Sequence, residues 1–430
     1  VSFTELKFFI VVKGFAQGKW LYRDIWELCE PISALLYYLL PSSFSFFSVT
    51  SFWLNSFLIV FNAFYANYLL QKYDVMSEKT FLPAFFYVAL SFSSSQLNTL
   101  SPPLIASFFL LFVIQKTLSY LKKEDINEMY DAGFFLGIAS FCYMPTLAMT
   151  IALFLSLLFF TRSHGKAYLL LLLGVLFPWL FISVIYLWNG GLQEVFSVFL
   201  HHYFTLRYDY LSWSELVYSS LIPGSLFLTG LFYSLSGRAR EINYQSICRR
   251  FFLVWLLGNV LVFVVSPIHT LADFHIFLPS LIFFLSYYYL QIKKTAIPNL
   301  LITTSLIGMV TIQYFYLGGS IWAKEHEKSF VSIPAKDPLL SGKRIWVVGN
   351  NYLPYLQGTI SAKYVNWRVS QDDFGKLNSF TTLEHIRKNV LFSNPEIIVD
   401  QEQKMKDLFD RIPPLSEHYT LVAPNVYAHR

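Results

Sequence analysis

Arg23, Asp24, Glu27 and Glu30 stand close together in GKWLYRDIWELCEPISALLYYLL (18–40), directly ahead of Pro31 and an apolar run, with Glu5 upstream. Two other stretches mix histidine with charge: FLHHYFTLRYDY holds His201, His202, Arg207 and Asp209, and SPIHTLADFHIFLP holds His269, Asp273 and His275. Carboxylates of this kind can serve as general bases, while arginine and histidine can hold a phosphate leaving group. Ionisable groups at a membrane edge are costly, which marks them as functional candidates. Each also has a plainer reading. Glu27 and Glu30 could be solvated charges of an interfacial segment, His201 and His202 belt residues among aromatics, and Asp273 and His275 helix-end residues, Asp being a common N-cap.

The elements that must position these groups are those of a membrane protein. Only 14% of the residues are charged, 55% are hydrophobic, 19% are aromatic, and the mean hydropathy is +0.47. A soluble chain carries about a quarter charged residues, so much of this surface never meets water. The net charge of +5 comes from basic residues scattered in short loops, which is a topology signal and excludes a nucleic-acid footprint. Cys29, Cys142 and Cys248 are odd in number and far apart, with no histidine at ligand spacing, so neither a disulfide framework nor a zinc site follows. The N-terminus lacks the pattern of a signal peptide.

Spans able to cross about 30 Å of hydrocarbon are predicted near 49–70, 101–120, 168–187, 221–236, 250–266, 273–292 and 297–317. Shorter apolar stretches cover 80–95 and a pair within 131–161, broken near Met144-Pro145, and a half-length helix covers 32–44. If these spans alternate, Lys72, Lys79, Lys122, Lys123, Arg162, Lys166, Arg238, Arg240, Arg249, Arg250, Lys293 and Lys294 share one side. The positive-inside rule makes that side the cytoplasm. Residues 1–48, 188–220, 266–273 and everything after about 318 then face the periplasm of a bacterium, and the three acidic and histidine clusters converge there. Asp131 begins a glycine-spaced helix in which Gly133 and Gly137 suit close helix packing.

After Tyr316 the composition becomes that of a soluble protein. RIWVVG (344–349) and EIIVD (396–400) read as buried parallel strands, and QEQKMKDLFDRI (401–412) as a helix, which gives a small α/β domain. The single glycine of VVGNN is not a dinucleotide fingerprint, which needs three. A structural or acceptor-guiding cap fits better. The expected division is therefore a periplasmic loop with juxtamembrane helices (1–48), a transmembrane domain (49–317) and a periplasmic α/β domain (318–430).

On these residues the opening stretch resembles the first periplasmic loop of the C-type glycosyltransferases, the bacterial relatives of protein mannosyltransferases and the aminoarabinose transferases. Those enzymes are similar in having an acidic pair past the first membrane helix, a glycine-aromatic element, and a proline opening a helix that re-enters the membrane. Here Thr4-Glu5 takes the place of the pair, Gly18-Lys19-Trp20 and Tyr22-Arg23-Asp24 that of the middle element, and Pro31 the helix start. The chain departs from the pattern at Thr4, where the family has Asp. The family also places a membrane helix before the pair, so about 25 to 30 residues are expected upstream of Val1.

The resemblance implies a polytopic α-helical fold with roughly 9–12 membrane helices and a small C-terminal α/β domain. It implies transfer of a hexosyl or pentosyl group from a polyprenyl-phosphate donor to a periplasmic or lipid acceptor. Glu5 or Asp24 would act on the acceptor, and Arg23, His201, His202, Arg207 and His275 would hold the donor phosphate. No cofactor is required; the superfamily allows a divalent metal ion, although no ligand set in the sequence demands one. Two alternatives stand beside this reading. One is a non-catalytic membrane subunit or assembly factor of the same fold, which the absent acid favours. The other is a transporter of a lipid-linked intermediate, for which the long spans carry almost no mid-membrane charge.

Overall fold

The structure is a computed structural model that describes residues 3–41, 43–94, 97–160, 165–201, 203, 208–209, 213–235, 242–292, 296–317 and 335–430. His202 and Arg207, and Arg162, Arg238, Arg240, Lys293 and Lys294 of the topology argument, lie outside the described residues.

The chain opens with two apolar helices, α1 (Phe3–Phe15) and α2 (Pro31–Tyr38). Pro31 starts α2, where its missing N–H has no intrahelical partner to lose. The helix expected over 32–44 stops at Tyr38, because Pro41 disfavours helical backbone at the residue before it. Then come α3 (Phe44–Lys72), α4 (Leu82–Ser91), α5 (Pro102–Lys123), α6 (Asn127–Cys142), α7 (Met149–Phe160) and α8 (Gly165–Trp188). A 3-10 turn over Met144–Ala148 separates α6 from α7 at the expected proline. A two-residue strand, β1 (Tyr208–Asp209), precedes α9 (Trp213–Leu235) and α10 (Asn243–Val265). After β2 (Ile268–His269) come α11 (Leu278–Gln291) and α12 (Ala296–Leu317). The span expected from 273 starts at Leu278 instead. Thr270 and Asp273 form a reciprocal capping box that holds Leu271–Ile276 as a separate 3-10 turn.

The contacts divide the chain into two units, one of residues 1–48, 183–207 and 331–430, the other of 49–182 and 208–330. In the second, α5 packs along α6, α10 against α7, and α11 against α9 and α4. Segments of α3, α5, α8 and α10 are long and apolar enough to cross a bilayer. On α8 the outward residues include Leu169, Leu172, Leu176, Phe177 and Leu180, a face that only lipid solvates cheaply. The protein is a polytopic membrane protein.

In the first unit the C-terminal stretch forms a five-stranded mixed sheet. Its elements are β3 (Arg344–Val348), α13 (Pro354–Gln357), β4 (Thr359–Ile360), α14 (Trp367–Phe374), α15 (Phe380–Ser393), β5 (Ile397–Asp400), α16 (Met405–Arg411), β6 (Tyr419–Ala423) and β7 (Val426–His429). The order is β4-β3-β5-β7-β6, with β4, β3 and β5 parallel, and Ile345 and Val348 facing Ile397 and Asp400. Strand ends of this kind often hold a ligand in the crevice beyond them. Here Gln401 packs against the backbone of Gly349. Its amide accepts from Asn351 N at 3.0 Å, and its Cβ would lie 2.6 Å from any Cβ at Gly349. Asp400 is also engaged, accepting from Lys404 N and Met405 N at the start of α16.

Candidate active site

The first unit builds the polar cluster around the segment between α1 and α2. Gly18 adopts φ +74° as the chain leaves α1, and Tyr22, at φ 66°, closes a small loop. Within that loop Tyr22 N donates to Ile25 O, and Asp24 N donates to Trp20 O. The Asp24 carboxylate in turn accepts from Trp20 N at 2.9 Å. Arg23 chelates the same carboxylate, with Nε 3.1 Å from both oxygens and Nη2 2.7 Å from Oδ2, and Nη1 donates to Asn189 O. The pair is partly open to solvent, at 36% and 31% exposure. The charge-assisted bond to Asp24 holds the Arg23 pKa up.

Behind this exposed pair lies a buried set. Glu5, Lys7, Glu27 and Glu30 are all buried, and Glu27 is fully so. A carboxylate removed from water needs donors, and Glu27 has three: Leu28 N, the Tyr352 hydroxyl at 2.8 Å and Asn366 Nδ2 at 2.6 Å. Glu30 accepts from the Tyr203 hydroxyl at 2.9 Å. The Cys29 thiol is pushed well up by burial, reinforced by Glu27 and Glu30 and opposed by Lys7, so it stays protonated. All three cysteines are free.

Lysines fasten the same segment to the C-terminal sheet region. Lys13 Nζ donates to the carbonyls of Tyr355, Leu356 and Gly358, and Lys19 Nζ to those of Ile360 and Ser361. Trp26 pairs through its backbone with Lys363 O and Asn366 N.

Of the residues singled out in the sequence, Glu5, Arg23, Asp24 and His201 belong to the first unit and His275 to the second. His201 is exposed, just past a π-helical turn over Val195–Leu200. His275 is buried, with Nε2 2.8 Å from Leu97 O. Asp273 in the same turn accepts from Tyr143 at 3.0 Å and from Thr270 N at 2.8 Å. The parallel pairing of β1 with β2 sets Asp209 opposite His269, so two of the three polar stretches meet there. Among the described residues no group of three or more His, Cys, Asp or Glu side chains suits a metal ion. Sequence reasoning missed Lys7, Tyr352, Asn366 and Lys363. Lys7 was open to discovery, since an ammonium within an apolar helix is costly. The other three belong to an ordinary soluble pattern with nothing local to mark them.

No known family model matches the sequence, and no curated protein matches it. Among solved structures, the crystal structure of ArnT from Cupriavidus metallidurans bound to undecaprenyl phosphate is similar over 99% of this chain and 93% of that one, at 12% identity and a TM-score of 0.57. A likeness at that identity speaks to architecture: the chain shares the fold of that protein, a polytopic helical arrangement with a small C-terminal α/β region.

Proposed function

We propose that the chain is a membrane glycosyltransferase that moves a sugar from a polyprenyl-phosphate donor to an acceptor at the outer face of a bacterial inner membrane. In this reading residues 318–430 form a periplasmic cap. The observation that carries it is the Arg23–Asp24 pair, half-exposed on a small hydrogen-bonded loop, in a fold shared with a protein solved with undecaprenyl phosphate bound. Asp24 is the accessible carboxylate and Glu5 the buried one.

The carboxylate takes the proton of the acceptor hydroxyl or amine while that atom bonds to the anomeric carbon. The bond from that carbon to the phosphate oxygen breaks, and the polyprenyl phosphate leaves with the electron pair. Arg23 can shift from Asp24 to the departing phosphate, and His201, His202 and Arg207 are assigned the same charge-offsetting role; His275, buried in the second unit against Leu97 O, is not.

Native mass spectrometry of the full chain tests the donor first. The expected result is a bound polyprenyl phosphate that Arg23→Ala loses. Asp24→Asn should then reduce transfer by about a hundredfold or more with an unchanged melting temperature, and Glu5→Gln separates the two carboxylates. Bulk phospholipid alone in the wild type, or full turnover in both carboxylate variants, would sink the assignment. The double engagement of Asp24 by Arg23 and Trp20 N favours a second reading, a non-catalytic subunit of the same fold, which bulk phospholipid alone with no transfer in the wild type would select.

A further inference from the structure

Glu194 is a carboxylate that the chemistry above leaves unused, and it lies beside the Arg23–Asp24 pair within the first unit. Arg23 Nη1 donates to Asn189 O at 3.1 Å, and a Cβ at Gly191 would stand 3.3 Å from Arg23 Cβ and 3.4 Å from Tyr186 Cδ1. Residues 189–191 therefore run along the Arg23 side chain, and the short helical turn Leu192–Glu194 follows directly. The bond to Asp24 holds the Arg23 pKa up, and the Glu194 charge adds to it. Burial lowers the pKa of Lys363, whose ammonium stands 4.4 Å above the Trp26 ring, and Asp373, Glu194 and Asp24 oppose that shift. Glu194 is thus a charged neighbour of both cations. Its Oε2 is nonetheless shielded from solvent and accepts no hydrogen bond. A carboxylate oxygen in that state is costly and calls for a donor. Tyr186 also meets the Trp20 ring edge-on, with centroids 6.4 Å apart, and Trp20 N holds Asp24 at 2.9 Å. Trp20 is 38% exposed, so part of its indole is open to a ligand.

We propose that Trp20 and Glu194 form a saccharide subsite beside the Arg23–Asp24 pair, in which the indole takes the C–H face of an uncharged pyranose of the acceptor and the Glu194 carboxylate accepts one of its hydroxyls. An open indole offers a wide, electron-rich apolar face, and pyranose C–H groups suit it. The terminal torsion of a glutamate is broad, so the carboxylate can turn a free lone pair to an incoming hydroxyl. With Arg23 engaged by Asp24, this patch presents hydrogen-bond acceptors, which match a polyhydroxylated ring and oppose an anion. Trp20 is tied through its backbone to Asp24, the carboxylate assigned to the acceptor, which places the bound ring next to that group. The acceptor's identity as a saccharide rests on the function proposed above; the subsite itself does not.

Saturation-transfer NMR of the full-length protein in nanodiscs, read against empty nanodiscs, tests the subsite with the methyl glycosides of glucose, galactose, mannose and N-acetylglucosamine. At least one should receive saturation, strongest at its ring C–H protons. Trp20→Leu should abolish the signal, and Glu194→Met should weaken binding about tenfold, the scale of one charge-assisted hydrogen bond. The backbone bonds of the first loop come from Trp20 N and O, so the loop survives loss of the ring. Trp188→Leu, which removes an indole 89% exposed at the end of α8, should bind as wild type does. Glucose 1-phosphate should bind no tighter than methyl glucoside. Silence across the four glycosides would leave Trp20 a lipid-facing belt residue and overturn the subsite. So would wild-type binding in Trp20→Leu or in Glu194→Met, or a signal lost equally in Trp188→Leu. Tighter binding of glucose 1-phosphate that Arg23→Ala removes would assign the ring to the donor and overturn the acceptor reading. None of these measurements needs turnover or a bound polyprenyl phosphate, so the subsite can fail while the transferase assignment stands, and the reverse.

Discussion

Lys19 donates to the carbonyls of Ile360 and Ser361 at 2.7 and 2.8 Å, and burial pulls its pKa down to about 8 against the opposing charge of Asp24. An unfolded lysine titrates near 10.5. Between those values the unfolded chain binds more protons than the native one, so this group makes stability rise with pH across that window and contributes no slope below it. Lys19→Met removes the slope along with two hydrogen bonds. The wild-type advantage in melting temperature over Lys19→Met should therefore widen from about pH 7.5 to about pH 9.5; a constant offset would show that Lys19 keeps its proton. At this scale the site was partly legible. Arg23 and Asp24 could be found because their contacts are local. Glu27 could be read as a solvated charge because its partners, Tyr352 and Asn366, lie 325 and 339 residues away.

Helix α6 meets α8 through glycine, as the small-residue spacing of Gly133 and Gly137 indicated. A Cβ at Gly133 would stand 3.0 Å from Val175 N, and one at Gly137 would stand 2.7 Å from the Val175 carbonyl oxygen. Neither neighbour can move, since both are backbone of a hydrogen-bonded helix. Gly133→Ala should therefore destabilise the protein by about 1–3 kcal/mol, and Gly133→Leu should fail to fold. Thermal unfolding followed by size-exclusion chromatography reads both, and a wild-type transition in Gly133→Leu would refute the contact. The Asp131 side chain, expected to serve the start of α6, pairs with Lys116 at 2.7 Å. Apolar length and composition made α3, α5, α8, α10, β3 and β5 legible, because membrane burial and parallel pairing both demand unbroken apolar runs. The ends were harder to read. The starts of α11 and the stop of α2 depend on a capping box and on Pro41, local chemistry that an apolar window averages away.

At the scale of the molecule, the first unit is assembled from residues 1–48, 183–207 and 331–430, so its stability is not carried by any one stretch of chain. The C-terminal region has a sheet with a buried apolar centre in Ile345, Trp346, Val347, Val348 and Ile398. Its N-terminal half nonetheless satisfies many polar groups elsewhere. The carbonyls of Tyr355, Leu356, Gly358, Ile360 and Ser361 accept from Lys13 and Lys19, and the Tyr352 hydroxyl and Asn366 amide donate to Glu27. Cut from the rest, those groups return to water, and Lys363 loses the ring it covers. Water replaces the lost hydrogen bonds at little net cost, about 1 kcal/mol each, but their sum rivals the few kcal/mol that hold a domain of this size. Residues 335–430 expressed alone should therefore show strand and helix by circular dichroism without a cooperative thermal transition. A sharp transition would mean that the sheet is self-sufficient. The first loop would then be a passenger on a finished domain, when the contacts cast it as part of the domain's own core.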